Sequence, residues 1–96
     1  MKLEWSVFAL ADREGIFDYI EADSPRAAIE VDNAIAAAAK RLIDFPVSGR
    51  PGRITGTREL VVTPLPYILA YVVREDVVRL LRVLHGAQQW PDNLPH

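Results

Sequence analysis

His85 is the side chain best suited to proton transfer near neutral pH, since a free imidazole titrates at about 6.5. It closes the apolar run from Val77 and is followed by Gly86. A strand end beside a glycine lets a side chain reach into a site. It is equally a place where a histidine is simply hydrogen-bonded at a sheet margin. Arg79 and Arg82 lie in the same run, three residues apart, so alternation sends them to opposite faces. On that alternation Arg79 shares its face with Val77, Leu81, Val83 and His85, and Arg82 shares its face with Leu80 and Leu84. If the His85 face is open, it carries Arg79 and His85 together, a pair able to hold an RNA phosphate or dock an acidic peptide. Tyr67 and Tyr71 share a face of the preceding run, either to stack on a base or to pack in the core.

Further arginines sit upstream, in the stretch from Phe45 to Leu60. It holds Arg50, Arg53 and Arg58 against one acid, Glu59, with three of the five glycines and two of the seven prolines. So many glycines and prolines do not read as regular structure, and a long cationic connector is a candidate working surface. Charge divides at the same point. Residues 1–45 hold nine acidic and five basic side chains, and residues 46–96 hold four acidic and six basic, all arginine. Arginine favours paired contacts to phosphate or carboxylate, although ordinary solvated charge gives the same count.

Several chemistries are missing. There is no cysteine, which removes disulfides, zinc–thiolate sites and thiol catalysis and fits a reducing, cytoplasmic setting. No phosphate-binding loop, dinucleotide fingerprint or paired-histidine motif occurs, and the histidines are His85 and His96, so neither a cofactor nor a metal is expected. The first residues lack a basic segment followed by an apolar core, and no apolar run approaches the roughly 20 residues of a membrane span.

The 96 residues suit one domain, which buries only about two-thirds of its unfolded surface and gains from a partner that covers more. Residues 2–7 alternate polar and apolar, with Leu3, Trp5 and Val7 on one strand face, and Ser6 is placed to cap a helix. Helix is expected over 8–22, with Leu10, Ile16, Phe17 and Ile20 at helical spacings and Gly15 weakening it by about 1 kcal/mol. Asp23-Ser24-Pro25 restarts a helix that runs to about Asp44. Ala28, Val31, Ile35, Ala38, Leu42 and Phe45 make one seam, and the alanines let a neighbouring helix approach closely. Pro46 stops it, and the connector follows over 46–57. The period then becomes two, predicting strands over 58–62, 67–73 and 77–85, with turns at Thr63–Pro66 and Arg74–Asp76 and a tail over 86–96. Short turns imply an antiparallel meander. The expected architecture is α+β, β-α-α-β-β-β, with a helical hairpin packed on one face of a small antiparallel sheet and the other face partly open.

The run "FPVSGRPGRITGTREL", the strand "PYILAYVV" and the ending "RVLHGAQQWP" resemble the RelE/ParE superfamily of type II toxin–antitoxin toxins. The likeness extends over nearly the whole chain. It implies a growth-inhibitory toxin neutralised by a cognate ParD- or RelB-like antitoxin that folds on binding, the two forming a hetero-oligomer. Two mechanisms occur in the superfamily. RelE-like members cut mRNA on the ribosome, and ParE-like members poison DNA gyrase without catalytic residues of their own. Nuclease members often carry an arginine three residues before the tyrosine of the middle strand. Tyr71 fits that tyrosine, and the earlier position is Ile68. His85 matches a terminal-strand histidine of both branches, and Gln88, Gln89 and Trp90 supply no tyrosine or basic group after it. The resemblance therefore leans to the ParE-like branch and to gyrase. The target-binding set it implies is Arg50, Arg53, Arg58, Arg79, Arg82, His85 and Trp90. The nuclease alternative would rest on His85, Arg79 and Arg58. A third reading is a domain that binds antitoxin and is no longer toxic.

Overall fold

Two serines start the two helices. In the computed structural model, which describes residues 1–96, the Ser6 side chain accepts a hydrogen bond from Ala9 N at 3.0 Å, and Ser24 does the same for Ala27 N at 3.2 Å. The elements run β1 (Lys2–Trp5), α1 (Val7–Glu21), α2 (Pro25–Arg41), β2 (Arg50–Pro51), β3 (Arg58–Val61), β4 (Tyr67–Arg74) and β5 (Val77–His85). Pro25 stands in the first turn of α2, where its missing N–H costs nothing. Neither helix is long and apolar enough to cross a membrane.

Ser6 does more than cap. It is 1% exposed, and its hydroxyl donates to the Leu81 carbonyl at 2.8 Å, tying the start of α1 to β5. Ser6→Ala should therefore cost about 2 kcal/mol, the cap plus a buried acceptor left unpaired. The urea midpoint should fall at unchanged m-value, and an unmoved midpoint would contradict this anchor.

The fold is α+β, with the helical hairpin on one face of the sheet. Strand order is β1-β5-β4-β3-β2. The meander β3-β4-β5 is antiparallel as expected, and β1 adds to β5 in parallel. The sheet also gains a fifth strand, because Arg50 and Pro51 pair with Glu59 and Arg58. The connector is thus partly regular structure. Its proline is tolerated because β2 is an edge strand.

Ala9 of α1 and Ile35, Ala38, Ala39 and Leu42 of α2 and its C-cap pack against Val62, Leu69, Tyr71, Val78, Leu80 and Val83. The α2 seam holds from Ala28 to Leu42 and then fails, because the helix ends at Arg41 and Phe45 is 63% exposed. In α1 only Ala9 is fully buried, and Leu10 is 48% exposed. An ion pair instead locks the hairpin, Arg13 meeting both oxygens of Asp32 at 3.0 and 2.8 Å. The same guanidinium lies over Trp5, 4.6 Å from the ring centroid.

The sheet face away from the helices is not open along its whole length. Leu94 is buried there with Ala70, Val72 and Leu81, and Ile54 and Trp90 pack beside it. The tail folds back over this face and shields its apolar side chains, Trp90 and Leu94, against Ala70, Val72 and Leu81.

Candidate functional site

A β-bulge decides which side chains meet. Ala70 pairs with Arg82 while Tyr71 pairs with Leu80, so Leu81 is an extra residue in β5. Alternation is reset there. Val78, Leu80 and Val83 all join the helix-side core, whereas Leu81 lies on the far face. His85 follows Val83 onto the helix side, and Arg79 lies on the far side with Val72. The expectation of one face shared by Arg79 and His85 is therefore corrected.

His85 stands edge-on to Tyr67, with ring centroids 5.7 Å apart. Its Nδ1 accepts a hydrogen bond from Ala87 N at 3.0 Å, which leaves Nε2 to carry the proton of the neutral ring. The pair borders a groove of about 550 Å³ between α1 and the end of β5, with Asp12, Ile16, Tyr19 and Gln88 around it. Arg79 pairs with Glu4 at 3.3 Å and donates to the His96 carbonyl. Arg82 is held by both oxygens of Asp12, at 2.6 and 3.0 Å. Those bonds, opposed by burial, raise its pKa further and fix its charge. Asp12 also accepts from Val83 N at 2.9 Å, capping β5 where β1 no longer covers it.

Two of the connector arginines, Arg50 and Arg53, gather around Glu59. Glu59 points inward and its side chain is 2% exposed, while the side chains of Arg50 and Arg53 above it are 55% and 45% exposed. Arg50 Nη2 donates to Oε1 at 3.1 Å. Arg53 donates from Nε to Oε2 at 3.1 Å, from Nη2 to Oε1 at 3.2 Å, and from its backbone N to Oε2 at 2.8 Å. Burial pushes the Glu59 carboxyl up, and the hydrogen bonds from Arg53 and Arg50 outweigh it, holding the group below its ordinary 4.5. The Arg53 guanidinium also lies 3.6 Å from the Trp90 ring centroid, joining connector to tail.

A second anchor fixes the start of the connector. Tyr71 is fully buried, so it is a core residue rather than a stacking platform. Its hydroxyl donates to Pro46 O at 2.9 Å and accepts from Gly49 N at 3.0 Å. Burial raises the phenol above its ordinary 10, offset in part by the Gly49 N–H and by Arg58. Arg58 Nη1 closes the loop by donating to Gly49 O at 2.8 Å. The structure thus brings Arg50, Arg53 and Trp90 together around Glu59 on the far face, places Arg58 on the other face beside Tyr71 and Gly49, and leaves Arg79, Arg82 and His85 elsewhere.

Sequence reasoning missed Asp12, Gly49 and the organising role of Glu59. Glu59 had a signal: it is the one acid in a stretch that holds three arginines.

The family model described as ParE toxin of a type II toxin–antitoxin system, parDE, matches residues 3–90. The chain is 45% identical to Y4kP of Sinorhizobium fredii, over 97% of this chain and 96% of that protein. It is 40% identical to toxin RelE2 of Caulobacter vibrioides, over 88% and 93%. The chain also resembles a solved structure from the chromosomal ParDE toxin–antitoxin system of P. aeruginosa, with a TM-score of 0.79, 27% identity, and coverage of 88% of this chain and 95% of that one.

Proposed function

The chain belongs to the ParE toxin family of type II toxin–antitoxin systems, and from that premise we propose that it is a growth-inhibitory toxin that acts on DNA gyrase and is held inactive by a cognate antitoxin that folds on binding. The observation that carries the gyrase reading over mRNA cleavage is the β5 bulge. In-line cleavage at a ribose 2′-hydroxyl needs a proton-transfer group and a cation converging on one phosphate. Here His85 and Arg79 lie on opposite faces, Arg82 is spent on Asp12, and Ile68 stands where the nuclease pattern has arginine. No basic side chain in that region is left for the transition state.

Gyrase poisoning asks instead for a rigid surface. The connector supplies one, since Glu59 fixes it on the far face, Tyr71 fixes its start from the helix-side core, and Trp90 braces it from the tail. The target-contacting set in this reading is Arg50, Arg53 and Trp90 on the far face, with Arg58 at the same sheet edge on the other. An antitoxin segment has apolar area to cover, because Val7, Phe8, Tyr19, Ile29 and Phe45 are all exposed on or beside the helical hairpin.

Induction of the chain alone should slow growth, and co-induction of its antitoxin should restore it. Primer extension on mRNA from the arrested cells should show no codon-positioned cuts. Cuts that vanish in a His85→Ala/Arg79→Ala variant would replace this reading with the nuclease one. Unchanged growth on induction would leave only antitoxin binding.

A further inference from the structure

β1 is an edge strand, and no other strand covers its outer side. Lys2 N donates to Asp76 O at 2.7 Å and Ser6 N donates to Leu80 O at 2.9 Å, so the even-numbered residues bond to β5. In a parallel ladder the backbone groups of alternate residues point to opposite sides. The N–H and C=O groups of Leu3 and Trp5 therefore point outward from the sheet edge, with no strand beyond them. Lys2 and Glu4 are exposed and lie on the far face with Arg79, while Leu3 and Trp5 are half-buried on the helix side. Met1, Val7 and Phe8, which flank the strand, are exposed apolar side chains. We propose that β1 pairs antiparallel with β1 of a second copy, joining two sheets edge to edge in a two-fold dimer of this chain.

Register and charge select a second copy as the occupant. Backbone bonds form only where outward-pointing residues meet outward-pointing residues, which excludes every shift by one residue. A pairing centred on Leu3 sets Leu3 against Leu3, and Lys2 of each copy against Glu4 of the other. A pairing centred on Lys2 or on Glu4 opposes like charges, Lys2 to Lys2 or Glu4 to Glu4. One centred on Trp5 runs the second strand into α1. The strand is thus its own charge complement in one register. In that register Lys2 and Glu4 form a non-hydrogen-bonded pair, where side chains approach most closely. Both are available for it. Lys2 makes no ion pair within the chain, and Arg79 meets Glu4 only at Oε1, at 3.3 Å, which leaves Oε2. The two-fold axis stands normal to the sheet, so both helical hairpins lie on one side. Strands of four residues make a small interface, so the dimer is weak and depends on concentration.

The inference stands apart from the gyrase reading, because it is tested on the full chain with no gyrase present. Sedimentation velocity between about 1 and about 300 µM protein should show a reversible dimer with a dissociation constant on the order of 10⁻⁵–10⁻⁴ M. Lys2→Glu makes the exposed side of the edge wholly acidic, and Glu4→Lys makes it wholly basic. Each variant alone should raise the dissociation constant about tenfold or more, with thermal unfolding unchanged. An equimolar mixture of the two should associate at least as tightly as the wild type, because the acidic edge then faces the basic one. A wild type that stays monomeric at the highest concentration would overturn the proposal. So would single variants that dimerise like the wild type, or a mixture that stays monomeric. Leu3 and Trp5 amides that exchange freely with solvent in concentrated protein, and gain protection only when antitoxin is added, would also overturn it and assign the edge to an antitoxin strand.

Discussion

Replacing Arg50 and Arg53 together by methionine should cost about 3 kcal/mol at neutral pH and almost nothing of that at acid pH. Methionine keeps most of the side-chain volume, including the cover over Trp90, and removes only the cations. Glu59 is then a carboxylate with a side chain 2% exposed and the Arg53 backbone N–H as its remaining donor. The low end of the range for a broken buried pair applies, because the lost arginines were themselves half exposed. In the wild-type protein the Glu59 carboxyl is held below 4.5, so its stabilisation is present above the unfolded value and is lost as pH falls through the folded one. In the variant, burial acts with little opposition and raises the group. An acid raised on folding costs stability above its unfolded pKa, so the deficit is full at neutral pH and closes as Glu59 takes up a proton. Urea denaturation of both proteins at pH about 7 and about 3.5 measures the gap directly. A gap of equal size at both values would mean that Glu59 does not organise the connector.

Gly49→Ala should lower the melting temperature by about 12–24 °C, the equivalent of about 3 kcal/mol in a domain of this size. An added Cβ would stand 2.5 Å from the Tyr71 hydroxyl, 2.8 Å from Tyr71 Cε1 and 2.8 Å from the Glu59 carbonyl oxygen. Neither neighbour has room to yield. Tyr71 is fully buried and tied at its hydroxyl to Pro46 and Gly49, and the Glu59 carbonyl belongs to a paired strand. Relief therefore requires the connector to lift, which breaks the Gly49–Tyr71 bond as well. The same substitution at Gly15 should act in the opposite direction. Nothing lies within 4 Å of a Cβ there, and alanine in a helix interior gains about 1 kcal/mol over glycine. A Gly49→Ala protein that melts with the wild type would show that the connector is not clamped.

Both predictions rest on the connector, where the sequence was least legible. The helix starts were readable, because Ser6, Ser24 and Pro25 act locally on the N–H groups that follow them. The strands 67–73 and 77–85 were readable from their long apolar runs. What failed were features set by pairing between distant segments. A two-residue strand such as Arg50–Pro51 has no period to detect. The bulge at Leu81 depends on the register against Ala70 and Tyr71, and its only local trace is the doubled leucine, Leu80-Leu81, between two arginines. Strict alternation across that doublet placed Arg79 beside His85. Counting the extra residue puts them on opposite faces, and with that the cation–histidine pair dissolves. The tail over 86–96 has no periodic pattern to announce its packing, yet Trp90 and Leu94 stand four apart and both find apolar partners on the far face. The arginines of the connector were recognised as a group, but their order comes from Glu59 and Tyr71, which the charge count treats as one opposing acid and one aromatic.

On the proposed reading the toxin inhibits gyrase without cutting RNA. Purified protein incubated with gyrase, ATP and relaxed plasmid tests it most directly, with the products resolved after denaturing the enzyme. Loss of supercoiling with accumulation of linear, gyrase-linked DNA is the predicted result. Full supercoiling and no linear product at micromolar protein would contradict it.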